Sequence, residues 1–122
     1  GVRFHGGEAF TAADVLFSAA RARLGDVKAR LAGIRRIEQV DDYTVDVTTE
    51  APNPLLLAEW DTWYIMDQGW AERIGAAAPG SIKQGGNAPA ARESNGTGPF
   101  MLDRYEADAR TVDLEAAGKD LP

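Results

Sequence analysis

The sequence predicts an α+β fold, an antiparallel sheet with flanking helices, on three observations. From Tyr43 to Thr48 the residues alternate: Tyr43, Val45 and Val47 fall on one face, and Thr44, Asp46 and Thr48 on the other. That period of two marks a half-buried strand. The strand candidates come in pairs joined by short turns, at Asp41-Asp42 and at Ala107-Asp108-Ala109, and short turns of this chemistry make antiparallel hairpins. Stretches of helical spacing lie between the pairs, which gives helices set against antiparallel strands.

Val2 to His5 reads as a short strand that runs into the Gly6-Gly7 turn. The next residues carry a full helix-start signal. Thr11 stands at the N-cap, where its hydroxyl can accept from a free amide of the first turn. Asp14 stands at N3, where a carboxylate can reach back to the N-cap amide and faces the positive helix end. Phe10 and Val15 have the spacing of a hydrophobic staple. The helix is expected over 12–24, with Leu16, Ala20 and Leu24 recurring every fourth residue beside Val15 and Ala19.

Gly25 interrupts the helix, Val27 and Leu31 add one or two turns, and Gly33 stops them. A strand is expected over 34–40. Its apolar residues Ile34, Ile37 and Val40 are three apart, so either both faces are partly buried or a bulge intervenes. After the alternating strand, Pro52 and Pro54 end the hairpin, and a helix starts near Leu55 with Asn53 as its candidate cap. Trp63 to Met66 has strand composition, and Gly69 to Ala78 reads as a helix closed by Pro79-Gly80. Residues 80–98, rich in Gly, Ala, Pro, Ser and Asn, form a long loop; such a loop is functional, mobile or docked on something else. Phe100, Leu102 and Tyr105, then Val112 and Leu114, supply the last two strands.

With 122 residues the chain is read as a single domain, 1–122, with enough length for one core. Its net charge of −6 and pI of about 4.7 argue against nucleic acid as a partner, because phosphate binding needs a positive field. The absence of cysteine excludes disulfides and thiolate metal sites. No apolar run approaches the roughly 20 residues of a membrane span.

Four stretches, in order, carry a family resemblance. Phe4-His5-Gly6-Gly7-Glu8-Ala9-Phe10-Thr11-Ala12-Ala13-Asp14-Val15 resembles the signature of family 5 extracellular solute-binding proteins, the dipeptide, oligopeptide and nickel-complex receptors of bacterial ABC importers. Val40-Asp41-Asp42-Tyr43-Thr44-Val45, Ala51-Pro52-Asn53-Pro54-Leu55-Leu56 and Gly96-Thr97-Gly98-Pro99-Phe100 resemble three further stretches of that family. Each is mostly turn chemistry; four in register up to about residue 112 are what make the resemblance specific. Members are several times longer and two-lobed. The resemblance therefore implies a fragment, the smaller subdomain of the first lobe of a periplasmic binding protein. The receptor it implies captures a peptide or similar small solute outside the cytoplasmic membrane, in the periplasm or its equivalent, and hands it to a membrane permease by cleft closure, without enzyme chemistry or cofactor.

His5, the one histidine, lacks the convergent partners that catalysis or metal ligation requires, and reads as a turn residue. The acidic residues are scattered and sit largely at turns. Arg21, Arg23, Lys28, Arg30, Arg35 and Arg36 form a basic cluster read first as a solvated helix face and strand edge, the alternative being a docking patch for another lobe or an anionic partner. Gly96, Gly98 and Pro99 read as backbone devices, glycine for positive φ and proline for a fixed φ.

All three tryptophans fall within residues 60–70, with Asp61, Thr62, Asp67 and Gln68 interleaved. Trp60 and Trp70 are assigned to the core. Trp63 and Tyr64 divide evenly between core and a ligand cleft, whose walls are typically aromatic with a few polar groups. In the resembled family this segment leads toward the cleft between the lobes. The candidate ligand-binding residues are therefore Asp61, Trp63 and Tyr64, with no catalytic or metal site. The reading from a different class is a free-standing interaction or scaffold domain that binds a macromolecule and no small solute.

Overall fold

The computed structural model describes residues 1–80 and 88–118. Its elements are α1 (Ala12–Arg23), a 3₁₀ turn (Lys28–Leu31), β1 (Ile34–Asp41), β2 (Thr44–Thr49), α2 (Leu56–Glu59), α3 (Gln68–Arg73), a second 3₁₀ turn (Pro89–Ala91), β3 (Phe100–Glu106) and β4 (Thr111–Ala116). The α+β class and the antiparallel pairing hold. The strands form two separate two-stranded sheets, β1–β2 and β3–β4, each a hairpin.

Residues 1–10 form a tight turn with an antiparallel bridge between Arg3 and Ala9. Gly7 makes the turn at φ 94°, a left-handed conformation that glycine adopts without strain. Phe4 is buried and meets Phe10 at a ring separation of 5.6 Å. The turn delivers Thr11 to the start of α1, where the capping box is present. Asp14 carries it: its Oδ2 accepts from the Thr11 amide at 2.9 Å and from the Thr11 hydroxyl at 3.1 Å. The Ala12 amide donates to the Asp42 carbonyl at 2.8 Å, so the β1–β2 turn closes the same helix end.

The buried face of α1 is not the Leu16/Ala20/Leu24 stripe. Leu24 is 75% exposed, and the buried residues are Ala12, Asp14, Ser18, Ala19 and Ala22. Small side chains let the helix approach its neighbours closely, and two of the inward residues are polar for a reason given below. Ala19 and Ala22 form the core with Leu31 and Ile34, flanked by Val27, Ile37, Val47, Leu56, Trp60 and Trp63. The expected bulge in β1 is present. Register shifts between Ile34 and Arg36 and between Gln39 and Asp41 keep Ile34 and Ile37 inward and leave Val40 exposed. Tyr43 belongs to the turn, not to the inner face: it is exposed, and its amide donates to Asp41 Oδ1 at 2.8 Å.

α3 is shorter than the helix expected over 69–78. Gly75, at φ 74°, ends it. The Ala76 amide donates to the Ala71 carbonyl at 2.7 Å and the Gly75 amide to the Glu72 carbonyl at 3.2 Å, the paired bonds of a Schellman stop. Trp63 to Met66 pairs with no strand among the described residues.

Of the loop expected over 80–98, residues 81–87 lie outside the described residues. Its last part, Asn95 to Gly98, is docked. The His5 amide donates to the Gly96 carbonyl at 2.8 Å, and His5 Nδ1 accepts from the Gly96 amide at 3.3 Å. The other ring nitrogen, Nε2, then carries the hydrogen and donates to the Gly98 carbonyl at 2.8 Å. Asn95 spans from the Gly6 amide to Asp67 Oδ2, with 2.8 Å at each end. Neither Gly96 nor Gly98 has a positive φ. A Cβ at Gly96 would come within 3.4 Å of the His5 ring, about van der Waals contact.

Removing Asp14 strands the donors it satisfies, whereas removing the Thr11 hydroxyl loses one contact at a helix end. Asp14→Ala should lower stability by about 3 kcal/mol and Thr11→Ala by about 1 kcal/mol. Urea midpoints at unchanged m-value measure both; equal losses for the two variants would contradict the assignment.

Candidate functional site

The segment from Thr62 to Gln68 carries the site, and α1 holds it. Its backbone joins no ladder among the described residues, and two of its amides go to side chains of α1. The Met66 amide donates to Ser18 Oγ at 2.8 Å, and the Gln68 amide to Asp14 Oδ1 at 3.0 Å. Ser18 and Asp14 are 3% and 6% exposed, which buries two polar side chains on the inner face of a helix and satisfies both. Asp67, 3% exposed, caps α3 by accepting from the Trp70 amide at 3.0 Å and anchors the far loop through Asn95.

A cleft of about 470 Å³ opens beside this segment. Trp63, Tyr64 and Met66 form one wall, Ser18 and Arg21 of α1 the floor, and the stretch around Pro89 and Asn95 the other wall. Trp70 also lines it. Arg21 is tethered by its Nε, which donates to the Ala76 carbonyl at 2.9 Å. Burial lowers the Arg21 guanidinium below its ordinary pKa, because the charged form loses hydration there.

The candidate residues divide in a way that the sequence left open. Trp63 is half-buried and does both jobs: it packs on the core and lines the cleft. It meets Trp60 edge to face, with ring centroids 5.2 Å apart at 83°. Tyr64 points outward and is 77% exposed. Asp61 does not line the cleft; its carboxylate faces Arg30 at 3.7 Å on the surface. An exposed pair of that length contributes little to stability. Trp60 packs on the core as expected, while Trp70, assigned to the core, borders the cleft.

Sequence reasoning missed Ser18, Arg21, Asp67 and Asn95. Ser18 had a signal, since it lies four residues from Asp14 in phase with Ala22 on what proves to be the inner face. Arg21 was grouped with its basic neighbours. Three of those are engaged elsewhere: Arg36 pairs with Glu38, Arg30 with Asp61, and Arg23 reaches the Ile34 carbonyl. Among the described residues no group of three or more His, Asp or Glu side chains is gathered as a metal ion would need.

Residues 1–117 match the family of bacterial extracellular solute-binding proteins, family 5, middle region. The chain belongs to this family. Proposed ABC transporter peptide-binding proteins of Brucella ovis and Brucella abortus are 30% identical to it over 118 residues, 93% of this chain. The chain spans about a fifth of the length of these relatives, 21%. Among solved structures, it is similar to NikZ from Campylobacter jejuni, determined in complex with Ni(L-His), with a TM-score of 0.75 at 19% identity over 95% of this chain and 22% of NikZ. It is also similar to AppA of Clostridium difficile, a proposed peptide-binding protein, with a TM-score of 0.65 at 19% identity over 86% of this chain and 22% of AppA. These two likenesses establish the fold. The antiparallel hairpins with flanking helices are thus a part of the fold that these larger proteins share.

The two rings should separate on mutation. Tyr64→Ala should change stability by less than about 0.5 kcal/mol, as for an exposed side chain. Trp63→Ala should cost about 3 kcal/mol by leaving a hole beside the core. Thermal and urea unfolding of both variants would show it; a large loss at Tyr64 would make it a packing residue.

Proposed function

We propose that this chain forms one wall of the solute cleft in a longer two-lobed receptor that captures peptides outside the cytoplasmic membrane and delivers them to a permease. The exposed Tyr64 beside the half-buried Trp63, at the edge of a cleft with polar groups on its floor, is the observation that carries the reading. An aromatic wall of this kind holds a small solute by apolar contact, while a few polar groups orient it. Trp63, fixed by the core, gives the wall rigidity, and Tyr64 presents its ring to the space that an opposite lobe would close. Asp61 would reach a solute only by giving up Arg30. The relatives named for peptide binding favour a peptide over a metal complex, since they are nearer in sequence than the nickel–histidine receptor. Capture would proceed by hinge closure between lobes, with no bond made or broken.

The β3–β4 hairpin supports the fragment reading over that of a free-standing interaction domain. Its pairing places Phe100, Leu102 and Tyr105 opposite Ala116, Leu114 and Val112 on one face, while the other carries Arg104 paired with Asp113 and Glu106. Phe100, Leu114 and Val112 are 61%, 60% and 55% exposed. A lone hairpin is marginal in water, and this apolar face is the place for the rest of the receptor to pack.

A single wall cannot remove a solute from water on both sides, so the 122-residue chain should bind di- to pentapeptides with at best millimolar affinity. Calorimetry decides this; a micromolar constant would mean that the chain holds a complete site. In the longer receptor, Tyr64→Ala should weaken peptide binding about tenfold, the effect of about 1.4 kcal/mol of lost contact. Unchanged affinity there would remove Tyr64 from the cleft.

A further inference from the structure

Among the described residues Arg21 stands apart from the other cations. It is on the floor of the cleft, half-buried, in a protein of net charge −6. Only its Nε is engaged, with the Ala76 carbonyl at 2.9 Å. Among the described residues its two Nη groups meet no acceptor, and no carboxylate pairs with it; Glu93, on the opposite wall, makes no ion pair with it. The Nε bond fixes the plane of the guanidinium, and a planar fork held at one edge presents the other to a ligand. The surroundings are aromatic and apolar, from Trp63, Trp70, Met66 and Val27.

We propose that Arg21 is a specificity-determining residue of this cleft, binding the carboxylate of a solute whose apolar or aromatic group lies against Trp63 and Trp70. The proposal rests on the reading of the cleft as a solute wall and goes beyond it by naming the chemistry recognised. A carboxylate accepts two parallel N–H bonds from a guanidinium, and such charge-assisted pairs are short and directional. The burial that depresses the guanidinium's pKa also reduces the water that would otherwise compete for the fork. A neutral amide of the same shape offers one acceptor oxygen and brings no charge, so the cleft should discriminate between acid and amide. The same carboxylate chemistry is found at a peptide C-terminus and in a free organic acid.

The test uses the 122-residue chain and nuclear magnetic resonance, which reads millimolar binding at the indole N–H signals of Trp63 and Trp70 and at the Arg21 Nε–H. The probes are N-acetyl-phenylalanine, N-acetyl-phenylalaninamide and 3-phenylpropionate. The acid should move these signals with an affinity at least fivefold above the amide. Arg21→Gln should abolish that preference. Glutamine places its Nε2 as many bonds from Cα as the arginine Nε, so it keeps a donor for Ala76 while losing the fork and the charge. Arg21→Lys, which keeps the charge without the fork, should restore part of it, and provides the comparison should Arg21→Gln fail to fold.

Equal affinity of acid and amide, or a preference untouched in both variants, would overturn the role of Arg21 while leaving the wall intact. No movement of the indole signals with any probe would also overturn the Arg21 role, while the wall reading stands or falls on the Tyr64→Ala measurement in the longer receptor. Stronger movement with N-acetyl-phenylalanine than with 3-phenylpropionate supports the proposal with a peptide terminus as the source; the reverse supports it with a free organic acid.

Discussion

The structure depends on two hydrogen bonds that cross from a helix to a strand-like segment with no sheet to join. Met66 and Gln68 must place their amides somewhere, because a buried amide without a partner costs about as much as several favourable contacts contribute. Ser18 and Asp14, four residues apart on the inner face of α1, accept them. Because Asp14 also closes the start of its own helix, one carboxylate ties the first turn of α1 to the start of α3. The segment between, which carries Trp63 and Tyr64, is thereby fixed in position without being paired. That leaves its outward edge free, and a segment held from behind is what a binding wall requires.

A second set of bonds holds the other side of the cleft. His5, Gly6 and Asn95 join the N-terminal turn to the loop before β3, and Asp67 receives Asn95 from the segment that bears the aromatics. Residues far apart in the chain therefore share one network whose members are polar and mostly half-buried. Networks of this kind are stronger than the same bonds in water and fail together when a member is lost. The histidine of the opening signature is a fastening for the Gly96–Gly98 turn, which explains why those two stretches belong together: the imidazole bonds two backbone groups of that turn.

Local chemistry was legible in the sequence, and contact between distant segments was not. The capping box at Thr11 and Asp14, the bulge in β1 and the alternation of Val45 and Val47 were readable because each depends on residues a few positions apart. The inner face of α1 was misread because periodicity ranks residues by apolarity. It preferred Leu16 and Leu24 to Ser18 and Asp14, whose reason for facing inward lies some fifty residues away. The strand expected at Trp63–Met66 failed for the same reason: its composition is right, but the Trp63 amide turns back to the Trp60 carbonyl and the Met66 amide goes to Ser18. The extent of α3 was missed through a stop signal in plain view, Gly75, which the later Pro79-Gly80 overshadowed. At the site, Trp63 and Tyr64 could be singled out as aromatic and interleaved with polar residues. Arg21 could not, since sequence alone does not say which member of a basic cluster turns inward.

The two aromatic rings at the cleft face different demands, and the structure meets them with different burial. A ring that must not move is best shared with the core, as Trp63 is through Trp60 and the α1 face. A ring that must meet a solute is best left outside it, as Tyr64 is. Were both buried, the wall would be rigid but would present nothing; were both exposed, each would have to be ordered at the moment of binding, at a cost in side-chain entropy. Placing one ring in each environment, on adjacent residues that both line the cleft, gives stability and presentation from a single dipeptide. The same division extends to the floor, where Ser18 is consumed in holding the segment and Arg21, one turn further along α1, keeps its fork turned to the cleft.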